Sequence, residues 1–163
     1  MSVFLLFLFL NSDPSDAISR AYSCAILLVD WESQNSIYQF GNEWDLELAI
    51  PPDTDVFSMK ILDIMAMMKK TKPQNVDTSS LGKKYKGHLA TNDCTGKFQV
   101  TGSIVTCHTN AEGTLVVISL EKRTFDKNCT LYQRIEGGPD FFVLLQINSS
   151  GEIVRTKVVN GFS

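Results

Sequence analysis

A chain of 163 residues, 44% hydrophobic and 20% charged, is long enough for one domain with a substantial core and too short for two comfortable ones. This composition excludes a disordered chain. A net charge of −3 gives no general attraction to nucleic acid or to an anionic membrane.

Residues 3–10 (VFLLFLFL) form an unbroken apolar run closed by Asn11, Ser12, Asp13 and Pro14. The run has the length of a secretory signal peptide's apolar stretch, far short of the roughly 20 residues that cross a bilayer. No Lys or Arg precedes it, and a buried first strand is the other reading. The expected leader is residues 1–23, followed by a single antiparallel β-domain over 24–163. Small residues permit a cut after Ser23, with Ala21 at −3, or after Ala17, with Ser15 at −3. No other segment is long and apolar enough to span a membrane.

Residues 24–31 (CAILLVDW) read as a strand or buried segment, and 32–36 as a polar loop. In residues 40–50 (FGNEWDLELAI), Trp44, Leu46, Leu48 and Ile50 alternate with Asp45 and Glu47, which is the period of a half-buried strand. Pro51 and Pro52 end it, because proline cannot continue a ladder. Residues 55–70 fit two periods. As a helix, Phe57, Ile61, Ile64, Met65 and Met68 share a face, and Lys69 and Lys70 suit its C-terminus. As a strand, Phe57, Met59, Ile61, Met65 and Met67 share one. The methionines suit either a buried helix or an adaptable apolar site.

Beyond the polar loop at 71–83, strand-like runs cover 84–91, 97–108, 114–123, 130–136, 140–147 and 152–159, separated by turn sequences such as TNAEG, GGP and NSSG. Regular runs with short turns predict an antiparallel meander. Pairing 114–123 with 130–136, 130–136 with 140–147 and 140–147 with 152–159 gathers Val116, Ile118, Leu120, Leu131, Ile135, Phe141, Val143, Leu145, Val154 and Val158 on one face. Phe98, Val100 and Ile104 join that face, but Val105 then points outward. His88, Thr106, Gln133 and Thr156 are polar at inward positions, which suits a partly polar lumen or a one-residue register error.

The four cysteines have no zinc-ligand spacing and fit two disulfides in an oxidising compartment. Asn128-Cys129-Thr130 and Asn148-Ser149-Ser150 are glycosylation sequons in expected turns. Both features agree with a secreted, extracellular protein.

Counting the Trp44 strand and residues 56–68 gives eight strands in up-and-down order. Gly41-Asn42-Glu43-Trp44 then resembles, with one residue too many, the Gly-x-Trp motif that opens the first strand of a lipocalin. The resemblance covers residues 37–159, and no C-terminal helix follows the barrel segment. It implies an all-β, calyx-like barrel with room for one small molecule, and an arginine, matched here to Arg155, covering Trp44. A β-sandwich packed on one helix is the alternative fold. In the meander, Cys94 and Cys129 fall at one end and Cys24 and Cys107 at the other, which predicts disulfides Cys94–Cys129 and Cys24–Cys107.

Signals for catalysis are weak. His88 and His108 lie near opposite ends of their strands. Asp45 and Glu47 read as solvent-facing strand residues, and Gly137-Gly138-Pro139 is a turn with no helix after it to receive a phosphate. No cofactor is expected. The lysines at 69, 70, 72, 83, 84 and 86, with Tyr85, read as solvated loop charge or a patch for an acidic partner. The expected function is non-catalytic sequestration or carriage of a small hydrophobic ligand. Trp44, His88, Phe98, Val100, Ile104, Ile118, Leu120, Gln133, Phe141 and Val143 would line the interior. The alternative is a secreted β-sandwich that binds a host or receptor protein.

Overall fold

A computed structural model describes residues 14–33, 35–41, 43–75, 94–131 and 138–161. The fold is mostly β. One seven-stranded sheet contains β1 (Ser36–Phe40), β2 (Glu43–Leu48), β3 (Met68–Asn75), β4 (Phe98–Asn110), β5 (Gly113–Thr124), β6 (Phe141–Ile147) and β7 (Ile153–Asn160). Helix α1 (Pro14–Leu28) covers one face, and a 3₁₀ turn at Val56–Ser58 with helix α2 (Ile61–Ala66) covers the other.

The sheet runs in the order β3-β2-β4-β5-β6-β7, with β1 paired to β4. Among the described residues it is open, with β3 and β7 at its edges. Two hairpins expected from the turn sequences are present, β4–β5 and β6–β7. The first closes through Asn110↔Gly113, where Gly113 adopts φ 123° and a Cβ would lie 2.0 Å from the Ile147 carbonyl oxygen.

The pure up-and-down order does not hold. β1 and β2 both run parallel to β4, β1 beside its first half and β2 beside Cys107. They form one interrupted strand, pinned at the break where Gly41 N donates to Gly102 O at 2.7 Å.

The expected strand 130–136 has no place between its neighbours. β5 pairs directly with β6 on every rung from Thr114↔Ile147 to Leu120↔Phe141. Ile118 therefore meets Val143, not Ile135. Leu131 instead bridges Phe125 within a local turn. Residues 132–137 and the expected strand 84–91 lie outside the described residues.

Of three ladder slips among the described residues, the third between Gln146 and Ile147 in β6–β7, two redistribute side chains. One falls between Ile104 and Thr106 on β4. It sends Ile104 and Cys107 to the α1 face and Val105 to the other. The outward Val105 of the sequence pattern was the trace of this bulge. The other falls in the β2–β3 pairing between Trp44 and Leu46. Trp44 packs on the α1 side and Leu48 on the opposite side, so the alternating residues of β2 do not share one face.

Val116, Ile118, Leu120, Phe141, Val143 and Leu145 do share a face, and α1 packs on it through Ile18, Ala21, Tyr22, Ala25 and Ile26. Val154 and Val158 are not core residues. They stand 53% and 39% exposed on the edge strand, beyond the reach of the helix. The second core joins Leu115, Val117, Phe142 and Leu144 to Val56, Ile61 and Ile64. With both faces covered, β6 opens with a continuous apolar run, Phe141 to Leu145.

Two local expectations are corrected. Residues 24–31, expected as a strand or buried segment, are the end of a helix and its cap, with Ala25 and Ile26 buried. Residues 55–70 divide between the 3₁₀ turn, α2 and the start of β3, so neither single period describes them. Lys69 and Lys70 belong to β3 rather than to a helix terminus.

Candidate functional site

Helix α1 ends in a Schellman motif. Asp30 takes the left-handed conformation at φ 55°, its N–H donates to Leu27 O at 3.1 Å, and Trp31 N–H donates to Ile26 O at 3.1 Å. This ending throws Trp31 across the sheet, where its ring meets Phe141 edge-on with centroids 5.3 Å apart. Tyr38 fixes the segment by donating its hydroxyl to Trp31 O at 3.0 Å.

Strands β4 and β5 complete the arrangement. The Lys122 ammonium lies 4.3 Å from the Phe98 ring centre and 5.6 Å from that of Trp31. Asp140 accepts a 2.7 Å bond from Lys122 N–H and donates its own N–H to Leu120 O at 2.8 Å. Trp31, Phe98, Phe141, Lys122, Asp140 and their neighbours line a shallow, open cleft of about 510 Å³ at the rim of the sheet. Three ring faces and one cation can hold an apolar body and an anionic group. They supply no nucleophile–base pair.

A second cleft, of about 440 Å³, lies at the other end of α1. Trp44 lines it with Ala17, Ile18, Arg20, Cys107 and the Asn148–Gly151 turn. The two tryptophans of the chain thus mark different clefts.

The expected interior residues disperse. Phe98 and Phe141 meet at the first cleft and Trp44 stands at the second. Val100, Ile118, Leu120 and Val143 are fully buried, and Ile104 nearly so; the last four pack in the α1 core cluster. His88 and Gln133 lie outside the described residues. Thr106 is buried, but its hydroxyl donates to Leu46 O at 2.8 Å and ties β4 to β2. Thr156 is exposed on β7. His108 is half-buried near the β4–β5 turn. Trp31 is absent from the expected interior because residues 24–31 give a strand or buried segment on local pattern, and Lys122 because its place beside Trp31 and Phe98 depends on tertiary packing.

Arg155 does not cover Trp44. It pairs with Asp55 at 3.1 Å and lies over the Phe57 ring at 4.3 Å, on an edge strand separated from β2 by β4, β5 and β6. The hydrogen bonds from Arg155 hold the exposed Asp55 carboxyl below its usual range. Lys157 reaches the same segment, donating to Phe57 O and Met59 O at 2.8 and 2.6 Å. Lys70 lies 3.8 Å from Asp45 as an exposed strand pair.

Cys94 and Cys129 form the expected disulfide, closing a separation of 35 residues. Such a loop contributes about 2–4 kcal/mol through the unfolded chain. Cys24 and Cys107 do not bond each other. Both are free thiols, one on α1 and one on β4, because residues 24–28 turn within a helix instead of extending beside the first strand. Burial raises both thiols, that of Cys107 to about 12. Neither suits nucleophilic chemistry.

Among the described residues, no three His, Cys, Asp or Glu side chains converge as a metal site requires, and no helix is long and apolar enough to cross a membrane. No protein-family model, curated protein or solved structure matches the chain.

Proposed function

We propose that this is a secreted, non-catalytic protein that holds a small hydrophobic ligand in the cleft between Trp31, Phe98 and Phe141. The observation that carries the reading is the grouping of three aromatic rings around the Lys122 ammonium. A volume of about 510 Å³ lies within the range of small-molecule sites. Apolar area removed from water would supply affinity at roughly 25 cal/mol per Å². In this reading the ligand sits at the open rim of the sheet, and a closed eight-stranded calyx is not needed.

Tryptophan emission tests it. Trp44→Phe leaves Trp31 as the only indole. Titration with 1-anilinonaphthalene-8-sulfonate, an apolar anion, should give saturable quenching of Trp31. Phe141→Ala should weaken binding about tenfold, equivalent to about 1.4 kcal/mol. Quenching that survives only in Trp31→Phe would move the site to the Trp44 cleft. Absence of saturation in both variants would reject the carrier.

Binding of a protein partner is the second reading. It is favoured by Val154 and Val158, exposed on the edge strand β7. A stable complex abolished by Val158→Lys would support it.

A further inference from the structure

We infer that the leader is cut from this protein at the Ala17–Ile18 bond, and that the Ser23–Cys24 bond, although flanked by equally small residues, is not a processing site. The inference rests on the presence of a secretory leader and is independent of the ligand reading.

The sheet is shaped to receive residues 18–26. Ile18 is 9% exposed, while Ala21, Tyr22, Ala25 and Ile26 are fully buried. Among the α1 side chains that are described, burial begins at Ile18, and Ala17 is only partly covered. The Tyr22 ring packs on β4 at Gly102, where a Cβ would come within 2.9 Å of it. Only glycine leaves that space. The Tyr22 ring also meets Phe40 at 4.8 Å between centroids, and its hydroxyl donates to Gly41 O at 2.7 Å.

A cut after Ser23 would remove Ile18, Ala21 and Tyr22 together. It would bare Gly102 and Phe40 and take the hydroxyl partner from Gly41 O. The rest of α1, from Cys24 to Leu28, is too short to hold a helical turn unaided. A cut after Ala17 keeps every one of these contacts. In the reaction, water adds across the Ala17–Ile18 peptide bond. The C–N bond breaks, leaving a carboxylate on Ala17 and an amine on Ile18, and the enzyme is a signal peptidase that accepts small residues at −3 and −1.

The test is expression of the full chain in eukaryotic secretory cells, with intact mass and N-terminal sequencing of the secreted product. The expected first residue is Ile18. A product that begins at Cys24, or one that retains Met1, overturns the inference. Two variants, one at each candidate cut site, keep the test independent of folding and are read by pulse labelling before export. Ala17→Leu should abolish or shift the cut, and Ser23→Leu should leave the cut where it is. The reverse pattern overturns the assignment.

Discussion

The Tyr22 hydroxyl donates a 2.7 Å hydrogen bond to the carbonyl oxygen of Gly41, at the break between β1 and β2. Gly41 N–H in turn bonds Gly102 O, so one tyrosine on the helix pins two strands at the point where their ladder is interrupted. Tyr22→Phe keeps the ring and removes the bond. It should cost about 1 kcal/mol, the usual net loss of a hydrogen bond to a partly buried acceptor. Gly102→Ala should cost about 1–3 kcal/mol, because the new methyl meets the Tyr22 ring. Urea denaturation of Gly102→Ala, Tyr22→Ala and the double variant Tyr22→Ala/Gly102→Ala checks the contact. The double variant should lose less than the sum. Strict additivity would show that the two residues do not touch.

The thiol of Cys107 and the phenol of Tyr22 are both raised by burial, Cys107 to about 12. A group raised in the folded state adds stability that is fully present below its unfolded value. That stability is lost as pH rises toward the folded value. For Cys107 the loss begins near the unfolded thiol value of about 8.5 and continues to about 12. Stability should therefore fall on alkaline titration above pH of about 9. Cys107→Ala should flatten that limb. A thiol reagent at pH 8 should modify Cys24 and Cys107 slowly in the folded protein and rapidly in denaturant. Reaction of Cys107 as fast in the folded protein as in denaturant would show that the Trp44 cleft, which this half-buried thiol lines, opens fully to the reagent.

The face of the sheet opposite α1 depends on α2. Ile64 is fully buried there, while Leu62 is 61% exposed. Ile64→Ala should destabilise by about 2–5 kcal/mol through the cavity it leaves. Leu62→Ala should change stability by less than about 0.5 kcal/mol. Equal losses in thermal melts would mean that the helix does not pack by this face.

The two sequons differ in their surroundings. Asn128 is exposed on its turn. The Asn148 side chain is engaged: its Oδ1 accepts from Ser150 and Glu152 N–H, and its Nδ2 donates to Glu152 Oε2 at 2.9 Å. A glycan should be carried at Asn128 and not at Asn148. In secreted protein, Asn128→Gln should remove all enzyme-releasable glycan mass and Asn148→Gln none. The opposite result would show that the β6–β7 turn opens to accept the sugar.

The β4–β5 and β6–β7 hairpins were legible because their information is local. Gly113 and Gly151 sit in turns at positive φ, and the flanking residues alternate. The shared face of Val116, Ile118, Leu120, Val143 and Leu145 followed from period two alone. The Cys94–Cys129 bond came out of turn alternation even though the expected strand 130–136 is not between β5 and β6.

Other features depended on partners distant in the chain. Residues 24–28 are as apolar as a strand, and only packing on the sheet decides for the helix, with Gly102 making room for Tyr22. The parallel approach of β1 and β2 to β4 has no turn signal, because the paired segments are about sixty residues apart (Ser36 with Phe98). The aromatic cleft likewise draws Trp31 from a helix cap, Phe98 and Lys122 from neighbouring strands and Phe141 from a third. Local periodicity fixed which residues share a strand face. Which surface covers that face was decided only by long-range packing, because apolar burial has no direction along the chain and is won by whichever segment fits.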